Sequence, residues 1–513
     1  MSKHSIPKNA NCLIMVSICL ALCLPTFCLY ARQGAASEIK SRVIVGATII
    51  DGSGRRGFQA NLRIEEDRIT EIGHFDIRKD DRVINARGLT VAPGFIDIHN
   101  HSEEGIDSEP TAASQVSQGI TTLAVGPDGS SPWPIADYLT KREKRGAAVN
   151  ILAFAGHATI RLRVMGNDYN RAATAEEIQK MAGFVERAMH EGAVGLSTGL
   201  EYDVGYQSTT EEIIELARVA SHHGGIYMSH IRDEAQEVIS AISEAIRIGR
   251  EAHIAVQISH IKMGTVGVWG KASNAIRLIA AARRRGIDIT ADCYPYDAWA
   301  STITVLVPDR RHDDPISVRR GIADVAGARN ILITGCRAHP DFEGKTLLEV
   351  ARSTGMTPVE AYIQIVKDGG AGVVCRSMKE ADIRAFYRQP WVMVASDGGI
   401  GSRHPRGAGA FPRALGLYAR VKKWLTLEEA IRKMTSLPAA RLGLTDRGLI
   451  REGMKADLVI FNPRRVRDRS TFKEPGLLSS GIDRVFVNGV PVWQDGRATG
   501  KLSGLVIRKN SGR

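Results

Sequence analysis

Short apolar runs recur along the middle of the chain, and each stops at a polar or turn-forming residue. Eight of them read as strands: Phe95–Ile98, Thr121–Val125, Asn150–Ala155, Ala193–Ser197, Gly225–Ser229, Ala255–Ser259, Ile287–Ala291 and Trp391–Ala395. Helical patterns separate them, as at Thr174–Glu191, Thr210–His222 and Ala235–Glu251. Strands alternating with helical segments predict a parallel α/β sheet. Eight such strands are the number a TIM (β/α)8 barrel needs, and that fold places its chemistry at the C-terminal ends of the strands.

The two ends of the chain are patterned differently. Residues 42–93 hold short alternating segments, Val43-Ile44-Val45, Leu62-Arg63-Ile64 and Arg68 to Ile72, with a turn at Asp51-Gly52-Ser53-Gly54. Residues 445–505 read the same way, through Asp457 to Phe461 and Val485 to Trp493. Alternation of period two marks half-buried strands, and Asn488-Gly489 is a hairpin signal. Both ends are therefore assigned to one small β-sandwich around a barrel at 94–444. The connection at about 298–390 is too long for one barrel helix and predicts an inserted substructure.

The N-terminus is different in kind. Lys3 and Lys8 precede an uncharged stretch whose apolar heart runs from Cys12 to Tyr30 and exits at Gly34-Ala35-Ala36. That arrangement predicts a secretory signal at residues 1–36 and a protein exported to the periplasm or outside the cell, with an uncleaved membrane anchor as the alternative. Leu22 stands where a lipoprotein signal before Cys23 wants a small residue. Four of the seven cysteines fall in this segment, and Cys293, Cys336 and Cys375 are too few and too far apart for a disulfide framework. Composition is that of a globular protein, 43% hydrophobic and 24% charged. The net charge of +12 is dispersed, without a basic stripe interleaved with aromatics, so neither a nucleic-acid partner nor stable membrane contact beyond the signal is expected.

The strand ends carry, in order, His99 with His101, Asp128, His157, Glu201, His230, His260, Asp292 with Tyr294, and Asp397. Residues i and i+2 of a strand share a face, so His99 and His101 present two imidazoles side by side. Imidazole suits borderline metals such as zinc. His230 and His260 each follow an apolar strand and a serine, which points to one shared task. Asp128-Gly129 and Asp397-Gly398 also read as plain turns, Glu201 as a cap or an arginine partner, and His157 as a residue behind the ligands. Gly344-Lys345-Thr346 and Gly270-Lys271-Ala272 lack the first glycine of a phosphate loop, with His339 and Thr265 in its place. No Ser-His-Asp signature stands out along the chain.

From about residue 42 to 495 the chain resembles the amidohydrolase superfamily, and within it the N-acyl-D-amino-acid deacylases. The segments that carry the resemblance are Ala92 to His101, Gly195 to Tyr202, Ile258-Ser259-His260-Ile261-Lys262, Tyr294-Pro295-Tyr296, Ser396-Asp397-Gly398, His404-Pro405-Arg406, Phe411-Pro412-Arg413 and Gly453 to Val459. The resemblance implies an enzyme that hydrolyses the amide bond of N-acyl-D-amino acids with one or two zinc ions or another divalent metal. His99, His101 and Asp397 would border a more exposed metal position, and His230 and His260 a tighter one. Asp397 would also carry the proton. Lys262, Tyr294, Ser301 and His404 would face the small-molecule substrate. Asp128 stands where the family often has a cysteine, which leaves metal number and identity open, with Glu201 as a second anionic ligand. The stretch from Pro308 to Pro315 is shorter than usual, and one residue is inserted between Tyr296 and Ser301. A cyclic-amide hydrolase or dipeptidase is the alternative, against which stands the absence of a lysine at Leu196-Ser197-Thr198. A non-catalytic protein on the same fold is a third reading, and the full set of five ligand-type residues stands against it.

Overall fold

The computed structural model describes residues 41–509; the segment assigned to export lies outside them. Eight parallel strands run Phe95–Asn100, Ile120–Val125, Asn150–Ala153, Gly195–Gly199, Ile226–His230, Ala255–Ile258, Ile289–Cys293 and Val392–Val394. The third breaks at Phe154 and resumes as Ala155–Gly156, which pairs with the fourth. The fourth and seventh sit two residues later than the apolar runs suggest, because their polar ends (Thr198 and Gly199, Asp292 and Cys293) stay in the ladder. The eighth strand meets the first: Asp397 N–H donates to His99 O at 3.0 Å, and His101 N–H to Gly398 O at 2.7 Å. These bonds close the ring of a TIM barrel.

The helices begin where their caps dictate. Ala175–His190 opens on a capping box between Thr174 and Glu177, and Thr210–His222 on Thr209. The third helix starts at Val238, later than Ala235, because the Asp233 side chain accepts from Ala235 N–H and Glu237 N–H and holds a turn there.

Strands from both chain ends share one nine-stranded sheet, in which Thr90–Pro93 pairs antiparallel with Leu458–Phe461. Asn488 and Gly489 turn the Ile482–Val487 hairpin with φ of 49° and 77°. Between the seventh and eighth barrel strands lies a three-stranded antiparallel sheet, Trp299–Thr302, Ile331–Gly335 and Gly372–Cys375. It packs with three helices around its own core, including Leu306, Val318, Ile331, Val350 and Tyr362. No helix of the described residues is long and apolar enough to cross a membrane.

The barrel is tied to the terminal sheet by a buried polar network. Asp457 Oδ2 accepts from Arg447 at 2.6 Å and from Asn150 Nδ2 at 2.9 Å, while its Oδ1 accepts from Asn488 N–H at 2.7 Å. Removing one partner of a buried pair strands the other charge. Arg447→Ala should therefore cost about 3–5 kcal/mol of stability by chemical denaturation. A loss near the ~0–1 kcal/mol of an exposed pair would show that the network does not clamp the two parts.

Candidate metal centre and active site

Four side chains from four strand ends converge. One ligand-type atom each of His99, Asp128, His260 and Asp397 lies within 4.8 Å of all the others, and all four residues are buried. His99 Nε2 is 3.1 Å from Asp128 Oδ2 and 3.4 Å from Asp397 Oδ1. His101 Nε2 reaches the same two oxygens at 3.5 and 3.3 Å, with its side chain 39% exposed. The strand alternation thus delivers both rings to one point. His260 Nε2 is 3.5 Å from Asp128 Oδ2 and 2.9 Å from His230 Nδ1. Asp128 therefore stands in the middle of the group, within 3.5 Å of three imidazoles.

The backbone is strained where the cluster forms. Asp128, His260 and Asp397 have φ of 55°, 31° and 49°. Left-handed conformations cost L-residues roughly 1–3 kcal/mol each and persist only where their surroundings hold them. Here the holders are visible. Asp292 Oδ1 accepts from His260 N–H at 2.8 Å and lies 3.4 Å from His99 Nδ1, while its Oδ2 accepts from Gln257 at 2.8 Å. Asp292 is thus no part of the cluster but orients two of its members. Asp97 braces the neighbours of two others, accepting from Ser396 N–H, beside Asp397, at 3.0 Å and from Asn100 Nδ2, beside His99, at 2.8 Å.

Two residues that the sequence reading did not single out complete the site. Glu234, four residues beyond His230, lies 2.8 Å from His260 Nδ1, and both its oxygens accept from Lys262 Nζ at 2.5 Å. This partnership leaves His260 Nε2 facing the cluster, as in oriented metal-binding histidines. His230, Glu234 and His260 form a second group of ligand-type atoms that shares His260 with the first. Arg406 comes from the His404-Pro405-Arg406 string, and its guanidinium lies 2.7 Å from Asp397 Oδ2 and 4.7 Å from the centre of the Tyr294 ring.

The remaining expected residues divide. Glu201 Oε2 lies 2.8 Å from His230 Nε2, beside the second group. Lys262, Tyr294 and Ser301 line a cavity that opens on His260 and Asp397. His404 does not line it: its Nδ1 accepts from Arg406 N–H at 3.0 Å, and its Nε2 lies 3.1 Å from Ala298 O. With both nitrogens bound to backbone, His404 positions the loop and offers nothing to a substrate. Burial and nearby Arg406 keep this imidazole well below its ordinary pKa, hence neutral. His157 pairs with Glu212 at 2.8 Å, and Arg161 pairs with the same carboxylate, away from the cluster.

The donors fit a divalent cation. They are imidazole nitrogens and carboxylate oxygens, and buried Asp128 Oδ1 has no hydrogen-bond partner. The electrostatics call for positive charge. Burial opposes protonation of His101 and His260, and Lys262 adds to it at His260. Carboxylates win: Asp128 and Asp397 at His101, and Glu234, Asp397 and Asp128 at His260, push each imidazole up to about 9. Burial also disfavours ionised Asp397, but Arg406, His260 and His99 hold its carboxyl far below the usual range. Metal uptake at neutral pH must then displace protons from imidazole. Zn2+ affinity should rise with pH and level off near about 9. Calorimetric titration of metal-free protein should give heats that change with the buffer's ionisation enthalpy; buffer-independent heats would contradict this.

The relatives agree with this geometry. The Amidohydrolase family profile matches residues 82–493. D-aminoacylase of Alcaligenes xylosoxydans xylosoxydans is 38% identical over 494 residues, covering 91% of this chain and 98% of that protein. N-acyl-D-aspartate deacylase of the same organism is 36% identical, covering 89% and 93%. The crystal structure of N-acyl-D-glutamate deacylase from Bordetella bronchiseptica, complexed with zinc and a phosphonate mimic of the tetrahedral intermediate, superposes with a TM-score of 0.83 at 33% identity, covering 91% and 99%. With its barrel, its strand-end cluster and relatives matched along nearly their whole lengths, this chain belongs to the amidohydrolase family, in the group of D-aminoacylase and the N-acyl-D-amino-acid deacylases.

Proposed function

We propose that the protein hydrolyses the amide bond of N-acyl-D-amino acids, releasing a carboxylate and a D-amino acid, with zinc held by His99, His101, Asp128, His230, His260 and Asp397. The observation that carries this is the histidine–carboxylate cluster opening onto a cavity that also presents Lys262, Arg406, Tyr294 and Ser301. The names of the relatives and the zinc in the Bordetella structure support it. Zinc supplies Lewis acidity, which polarises the amide carbonyl and makes water a usable nucleophile near neutral pH.

The protein's own groups do the rest. Asp397, ionised beside Arg406, faces both His99 and His101 and accepts the proton of the attacking water. It then passes that proton to the departing nitrogen, which leaves poorly as an amide anion. Lys262, Arg406, Tyr294 and Ser301 supply donors to the substrate's free carboxylate. Glu234 holds Lys262 at the height of His260 and so fixes the carboxylate relative to the scissile bond.

The leader-like segment at 1–36 supports an exported enzyme, and N-terminal sequencing of the mature product, expected to begin near Ser37, tests this. The activity is tested by adding N-acetyl-D- and N-acetyl-L-amino acids to metal-free and zinc-loaded protein. Hydrolysis of the D-series alone, dependent on zinc, is expected; an L-preference would overturn the reading. Asp397→Asn should retain zinc yet lose at least about 10²–10⁴-fold in kcat with a much smaller change in KM. Near-normal kcat with zinc bound would move the proton to another residue.

A further inference from the structure

Far from the barrel mouth, two neighbouring helices bring three ligand-type side chains together. Glu186 and His190 lie four residues apart on the helix Ala175–His190 and so share one face. His223 directly follows the helix Thr210–His222, and its ring centre lies 4.6 Å from that of His190, with 75° between the planes. One ligand-type atom of each of the three lies within 4.8 Å of the other two. Glu186 and His190 are exposed and His223 is half-buried. Both histidines come just before barrel strands: Gly195–Gly199 follows His190, and Ile226–His230 follows His223. The group therefore sits at the N-terminal face of the barrel, opposite the strand ends that carry the His/Asp cluster. That face serves stability in such folds, not chemistry.

The charge pattern around the group is unusual for these two helices. Their other glutamates all meet cations, among them Glu176 with Lys180 and Glu211 with Arg247. Arg187, next to Glu186, turns to Glu191 at 2.7 Å. Among the described residues, Glu186 alone of these glutamates is left without a cation, and it faces two imidazoles.

We propose that Glu186, His190 and His223 bind a borderline divalent metal of the zinc type, apart from the catalytic centre, and that this ion pins together the ends of two adjacent barrel helices. Two imidazoles and one carboxylate are a donor set for zinc, with water completing four-coordination. Calcium and magnesium prefer oxygen donors throughout, so the histidines select against them. Zinc bonds of about 2.0–2.2 Å require the donors to draw closer than they stand, which exposed side chains do by changing rotamer. The unfolded chain does not hold His223 beside the other two. The ion therefore binds the folded state better and stabilises it by mass action. The inference uses no residue of the deacylase reading and does not rest on it.

The test dialyses tag-free protein to equilibrium against rising zinc and reads bound zinc and the thermal midpoint together. The unmodified chain should hold about one zinc more than His190→Ala or, independently, His223→Ala. Its midpoint should also rise further with zinc than theirs. Glu186→Gln should weaken binding of that zinc at least about tenfold. Circular dichroism checks that each variant folds. Equal zinc content in the unmodified chain and the folded histidine variants, or midpoints that respond equally to zinc, overturn the site. A barrel mouth that held no zinc would leave the difference between these proteins in place, so the two readings fail separately.

Discussion

Two buried carboxylates, Asp128 and Asp397, reach toward the same imidazoles within 3.5 Å, and everything at the mouth of the barrel answers their need for positive charge. Arg406 covers one oxygen of Asp397, and protons on His101 and His260 cover much of the rest. A divalent cation satisfies the same demand more fully, because it accepts several lone pairs at once. Strong attraction for positive charge and strong attraction for a catalytic metal are here one property. The same demand explains why Lys262 stands so near the histidines without repelling the group: Glu234 neutralises it at contact distance.

The barrel makes this charge concentration tolerable. The contributors sit at the ends of several parallel strands, His99 and His101 together on the first, so the ladder fixes their height, and left-handed turns after the strands aim Asp128, His260 and Asp397 inward. Strain at His260 and Asp397 is balanced by backbone and side-chain bonds that involve Asp292, Asp97, Ser396 and the first strand. Reactive groups ride on rigid elements. The insertion brings a core of its own.

Much of the fold was legible because alternation and helical spacing are local. His99 and His101 followed from strand geometry, and the repeated strand–Ser–His endings marked His230 and His260. What sequence could not carry was partnership across long separations. Glu234 sits four residues from His230, yet its importance comes from Lys262 and His260, which another strand brings to it. Arg406 stands in a recognisable string, but only the folding of the segment after the last strand brings it onto Asp397. His404 looked like a substrate donor by composition and became a backbone brace, because both its nitrogens found partners in its own loop and in Ala298. His157 belonged to a strand end in the sequence, but a buried carboxylate on a neighbouring helix, Glu212, takes it away from the cluster.

In the proposed centre Asp128, together with the histidines and Asp397, holds the metal without any thiolate. Buried Cys293 is the cysteine nearest in sequence to the site, one residue after Asp292, and its thiol approaches Tyr294 O at 3.6 Å. X-ray absorption at the zinc edge of the loaded protein tests the claim directly. It should show a first shell of nitrogen and oxygen alone at about 2.0–2.2 Å. A sulfur scatterer near the ~2.3 Å of a zinc–thiolate bond would contradict it.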